Sequence, residues 1–159
     1  MLGIVIIVTM VEHIFIVVPF LPPHTKPGFA NIIVMFCVFS IGKKQAVVLN
    51  ILKSFFVLIT RGPLAGALSL TGGLLSIGVI LLLASIKFRG KGISYAPISV
   101  SGAIFHNVGQ FVLIIFLMAT STLIYYIPVL IISGVVTGII NGILLKILMP
   151  ILSKNLKLN

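Results

Sequence analysis

From Leu64 to Ile86 the sequence runs without a charged residue, and similar apolar runs recur along its whole length. Crossing the hydrocarbon of a bilayer as a helix takes about 20 apolar residues. A backbone in lipid must satisfy its own N–H and C=O groups, which leaves helices and closed barrels. Barrel strands alternate apolar and polar residues over about ten positions, whereas these runs are apolar on every side. The sequence therefore predicts an all-α integral membrane bundle forming a single transmembrane domain over residues 1–159. Six spans are expected, at 2–18, 28–41, 45–60, 64–86, 97–119 and 124–149. Pro19, Pro22 and Pro23 end the first run, the second is short for a span, and Arg61-Gly62-Pro63 closes the third.

Composition agrees. Only 8% of the residues are charged and 60% are hydrophobic, against roughly a quarter charged in a soluble domain. Eleven Lys and Arg stand against one acid, Glu12. A nucleic-acid binder clusters such charge on a wettable surface; here it sits in short gaps between apolar runs, the distribution of a topology signal. Lys43, Lys44, Lys87, Arg89, Lys91, Lys146, Lys154 and Lys157 fall on one side of a six-span bundle. Lys26 and Arg61 fall on the other, and Lys53 lies mid-segment. This bias places both termini in the cytoplasm. The first run lacks a basic leader and a small-residue cleavage site, so it is expected to remain as a mature helix. The absence of basic residues before Leu2 suggests a native start further upstream. Cys37 stands alone inside an apolar run and makes neither an internal disulfide nor a Cys-based metal site.

The polar residues inside the runs carry the functional information. In the fifth run Ser99, Gly102, Ala103, His106, Asn107 and Gln110 recur at intervals of three and four, which puts them on one side of a helix. Strong hydrogen-bonding side chains at mid-membrane need partners or a ligand, so this stripe is either an interhelical hydrogen-bond cluster or a polar ligand pocket. Lys53 and Glu12 are the only side chains able to form an ion pair at depth; if they do not meet, Lys53 is a candidate to bind an anionic ligand. Asn31, just inside the second run, also requires a partner. Toward the outer face, Lys26 and Arg61 are candidates for a cationic mouth. Gly134, Gly138 and Gly142 repeat at four-residue spacing in the sixth run, a pattern that lets helix backbones approach closely.

Several chemistries are excluded by what the chain lacks. It has no carboxylate pair for acid–base work and no acidic set to hold Mg²⁺. It has no phosphate-cradling Gly-Lys-Ser/Thr loop. Three scattered His and one Cys do not make a zinc site. No catalytic residue, metal or cofactor is expected.

The segments Lys26-Pro27-Gly28-Phe29-Ala30-Asn31, Ser69-Leu70-Thr71-Gly72-Gly73-Leu74-Leu75-Ser76 and the stretch from Ser99 to Gln110 with its His-Asn-Val-Gly-Gln core resemble the Gx transporter family. That family is also labelled heptaprenyl diphosphate synthase component I. Tyr125-Tyr126-Ile127-Pro128-Val129-Leu130, Ser133-Gly134 and Thr137-Gly138 extend the resemblance, which runs from Glu12 to Lys146. It implies a six-helix fold similar to the S components of energy-coupling-factor transporters, in the cytoplasmic membrane of a bacterium. Such proteins capture a small solute that an ATP-driven module then helps to move. The resemblance also implies a link to prenyl-quinone supply or to flavin-linked electron transfer. No alanine precedes Ala30, so the Ala-x-x-x-Ala docking pattern common in S components is missing. No Asp occurs, so a synthase role would be that of an accessory membrane subunit.

Together these features predict a non-catalytic solute-binding and transport subunit for a small polar or anionic ligand. A prenyl-quinone precursor or a flavin-related compound fits that description. His106, Asn107, Gln110, Asn31, Lys53 and Glu12 would line its pocket. The alternative is a membrane anchor or scaffold for a polyprenyl diphosphate synthase or a redox partner.

Overall fold

The computed structural model describes residues 29–88, 91–92, 94–118 and 125–155. Five helices occupy them: α1 (Phe29–Ser40), α2 (Lys43–Arg61), α3 (Pro63–Ser85), α4 (Tyr95–Met118) and α5 (Ile127–Asn155). They correspond to the second through sixth apolar runs. The first run, Glu12 and Lys26 lie outside the described residues. Between α3 and α4, β1 (Lys87–Phe88) pairs antiparallel with β2 (Lys91–Gly92).

Local chemistry sets the breaks. Gly42 and Gly62 take positive φ, at 152° and 89°, a region that glycine enters without a Cβ penalty. Pro63 then opens α3 at the position where a missing N–H does no harm. The sixth run was expected to end at Met149, yet α5 continues through Pro150 to Asn155. Proline removes one intrahelical hydrogen bond, and here the helix passes through it.

Among the described residues three helices are long and apolar enough to cross a membrane: Pro63–Ser85, Tyr95–Met118 and the Ile127–Pro150 part of α5. The other two described helices differ from the expected pattern of full spans. At about 1.5 Å per residue, the 12 residues of α1 reach about 18 Å, well short of a hydrocarbon core of about 30 Å. Val34 to Val38 is buried without a break, which makes α1 an interior helix wrapped by its neighbours. In α2, Lys43, Lys44, Lys53 and Arg61 carry four charges along 19 residues.

Packing follows chain order: α4 meets α5 and α3 most extensively, α3 meets α2, and α1 touches α2 and α5. Helix ends fall into two groups. Lys43 Nζ donates to Ser85 Oγ at 2.7 Å, Ser40 Oγ lies 3.4 Å from Met149 Sδ, and the Phe39 and Tyr95 rings meet edge to face at 5.0 Å. The start of α2, the end of α3, the hairpin and the start of α4 therefore share one end of the bundle, with Lys146 toward the same end on α5.

The distribution of polarity is inverted relative to a water-soluble protein. On α5, Ile132, Val136, Ile139, Ile143 and Ile147 are exposed, while Gly134, Thr137, Gly138, Asn141 and Gly142 are buried. Asn50, Lys53, Ser54, Ser69, Ser76 and Ser99 are likewise buried. Apolar side chains outside and polar ones inside is the arrangement a lipid solvent selects.

Candidate functional site

The site begins with a short residue. Gly73 on α3 has no side chain, and a methyl group there would stand 2.6 Å from both Nδ2 and Oδ1 of Asn50. The Asn50 amide therefore lies flat against the α3 backbone, 2% exposed. Ser54, one turn along, donates to the Asn50 carbonyl at 3.0 Å and shares a 3.2 Å hydrogen bond with Ser69 on α3. The Ser54–Ser69 bond ties α2 to α3 one turn from Gly73.

Three residues after Asn50, on the same side of α2, Lys53 is 8% exposed and donates from Nζ to Asn31 Oδ1 in the first turn of α1. A buried ammonium needs hydrogen-bonding partners to offset its lost hydration, and Asn31 supplies one.

Gly72 serves the other flank. A methyl group there would lie 2.7 Å from the His106 carbonyl oxygen, 2.8 Å from Gln110 Cγ and 3.1 Å from His106 Nδ1. On α4, Gly109 faces the same spot, with a methyl group falling 2.9 Å from Gly72 Cα. The two backbones meet through glycine on both sides. Gln110 Nε2 lies 3.2 Å from His106 Nε2. An amide N–H can donate only to an unprotonated ring nitrogen, so this contact puts the ring proton on Nδ1, facing the Gly72 backbone. Lys53 stands within electrostatic reach of the same ring. His106 and Gln110 thus pack on Gly72, Asn50 packs on Gly73, and Lys53, held by Asn31, lies within electrostatic reach of His106.

Asn107 does not join them. It sits about 100° round the helix from His106, and its Nδ2 donates to the Leu130 carbonyl on α5 at 3.0 Å, with Ser133 Oγ at 3.4 Å. Its work is to lock α4 to α5. Arg61 ends α2, half-buried, away from the glycine pair.

The glycine row on α5 packs inside the chain. Methyl groups on Gly134, Gly138 and Gly142 would fall 3.0, 2.5 and 2.9 Å from the Cα atoms of Ile104, Val100 and Ala96 on α4. That row is therefore covered by the chain's own helix and is not open to another protein.

Asn50 is the residue that sequence reasoning missed. The signal was there: an amide inside an apolar run, one turn from a lysine. Among the described residues no cluster of His, Cys, Asp or Glu is placed to hold a metal.

Long apolar helices, a buried polar centre and basic residues gathered at one end define a helical membrane protein. Over residues 1–148 the sequence matches heptaprenyl diphosphate synthase component I, and the chain belongs to that family. No curated protein and no solved structure matches it.

Proposed function

We propose that the chain is a non-catalytic membrane subunit that binds a small polar solute between α1, α2 and α4, beside Lys53 and His106. The observation that carries this reading is a buried lysine, held by Asn31, within electrostatic reach of the His106–Gln110 pair in the polar interior of the bundle. A lysine buried only for packing would be a poor choice where methionine or leucine fits, because desolvating its charge opposes folding. In this reading all six apolar runs belong to the membrane bundle, the short α1 as its interior helix, with Lys43, Lys44 and Lys146 on the cytoplasmic side. The six-helix plan is that of an S component, in which the solute enters from outside.

Purified protein should melt at a higher temperature in the presence of its solute, because a ligand that binds only the folded state stabilises it. A panel of flavins and prenyl-quinone precursors is the first to screen. The shift should vanish in Lys53→Met and His106→Ala and persist in Asn107→Ala. Loss of the shift in all three, or no shift with any polar solute, would remove the reading.

Family membership favours a second reading. As a component I, the chain would be the accessory membrane subunit of a polyprenyl diphosphate synthase whose catalytic carboxylates lie on another polypeptide. Its docking surface would then be the basic end of the bundle, since the α5 glycine row is covered by α4.

A further inference from the structure

We propose that Asn50 and Lys53, one turn apart on α2, form an oxyanion-binding site in which the Asn50 amide and the Lys53 ammonium hold the same negatively charged oxygen group. The inference rests on the solute-binding reading and narrows it to a ligand class. Asn50 Nδ2 is a hydrogen-bond donor with no partner among the described residues, although the residue is 2% exposed. An amide donor left unsatisfied inside an apolar bundle is destabilising, and such groups in native proteins call for an explanation. A bound acceptor supplies one. The residue three positions on is a buried ammonium, which carries donors and no acceptor. His106, across the glycine pair, presents its Nδ1 edge to the Gly72 backbone. Donors and positive charge dominate this face, and after Glu12 the sequence contains no acid at all. The complementary ligand is an anion with exposed oxygens: a phosphate, a diphosphate or a carboxylate.

Gly73 determines the geometry. Only without a Cβ at this position does the Asn50 amide lie beside the α3 backbone. Asn50 is thus a ligand-contacting residue, and Gly73 a positioning residue that acts through it.

The test is a thermal-shift titration of the detergent-solubilised chain with inorganic phosphate, diphosphate and succinate, each against potassium chloride at equal ionic strength. At least one oxyanion should raise the melting temperature by about 5 °C near saturation. Asn50→Asp keeps the shape but replaces the donor with a negative charge. It should bind the oxyanion at least about 30-fold more weakly. Lys53→Met should lose the shift as well. Should Asn50→Asp fail to fold, Asn50→Ser removes the amide donor with less disturbance and carries the same expectation. A shift from dihexanoyl phosphatidic acid alone would also support the site and assign its anion to a lipid headgroup. Full retention of the oxyanion shift in Asn50→Asp would overturn the inference. So would a shift from neutral solutes with none from any oxyanion, a result that leaves the solute-binding reading standing. Silence from every solute, charged or neutral, would remove both.

Discussion

Gly138→Leu is expected to abolish folded protein. A methyl group at this position would already lie 2.5 Å from Val100 Cα, 3.1 Å from Val100 N and 3.2 Å from the Ser99 carbonyl oxygen. All three are backbone atoms in the second turn of α4, so no rotamer change relieves the contact. The helices would have to separate along their length, and α4 against α5 is the most extensive interface among the described helices. Separation would also break the bond from Asn107 to the Leu130 carbonyl. Overpacking of a tight interior costs about 3 kcal/mol, and a lipid-embedded bundle has no hydrophobic force between its helices to offset it. Gly78 provides the control: nothing lies within 4 Å of a methyl group there, and alanine is the better helix former by about 1 kcal/mol. Gly78→Ala should therefore melt at or above the wild type. Size-exclusion profiles of fluorescently tagged variants read both results. A monodisperse Gly138→Leu peak with wild-type melting would show that α4 and α5 do not meet as described.

The second large effect is an asymmetry between two halves of one contact. Asn31→Leu takes a hydrogen-bond acceptor away from a buried ammonium and should destabilise the protein by about 2 kcal/mol, the value of a hydrogen bond to a charged group. Lys53→Met removes the charge itself and leaves a neutral amide, which is far less costly to bury. It should destabilise by under about 1 kcal/mol or not at all, because replacing a buried charge with an apolar residue of similar volume is often neutral. Asn31→Leu combined with Lys53→Met should be more stable than Asn31→Leu alone. Melting curves of the four proteins in one detergent form a double-mutant cycle that gives the coupling directly. Simple additivity would mean that the two side chains do not share a hydrogen bond.

Much of the helical plan was readable before any coordinates. The expected run 64–86 and the helix Pro63–Ser85 differ by one residue at each end, because Gly62 and Pro63 punctuate the chain unambiguously. The fifth run and α4 agree within two residues at the start. The status of α1 was not readable, since a short apolar run looks the same whether it stands in lipid or within a bundle. Its unbroken burial identifies it as an interior helix. The site was partly legible. Depth and rarity singled out Lys53 and Asn31, and the structure joins them. Helical periodicity placed His106, Asn107 and Gln110 on one broad side of α4, but it carries no information about which neighbour each residue meets. Asn107 turned to α5, and His106 and Gln110 turned to α3. Asn50 went unnoticed because its importance comes from Gly73, a residue whose contribution is the absence of a side chain.

Native mass spectrometry of the chain extracted from its own membranes with minimal washing addresses the central claim most directly. The wild type is expected to carry a small-molecule adduct that is missing from Lys53→Met and from Asn50→Asp. A wild-type spectrum showing the bare chain, bound only to a second polypeptide, would contradict a solute site beside Lys53 and His106 and leave the accessory-subunit reading in its place.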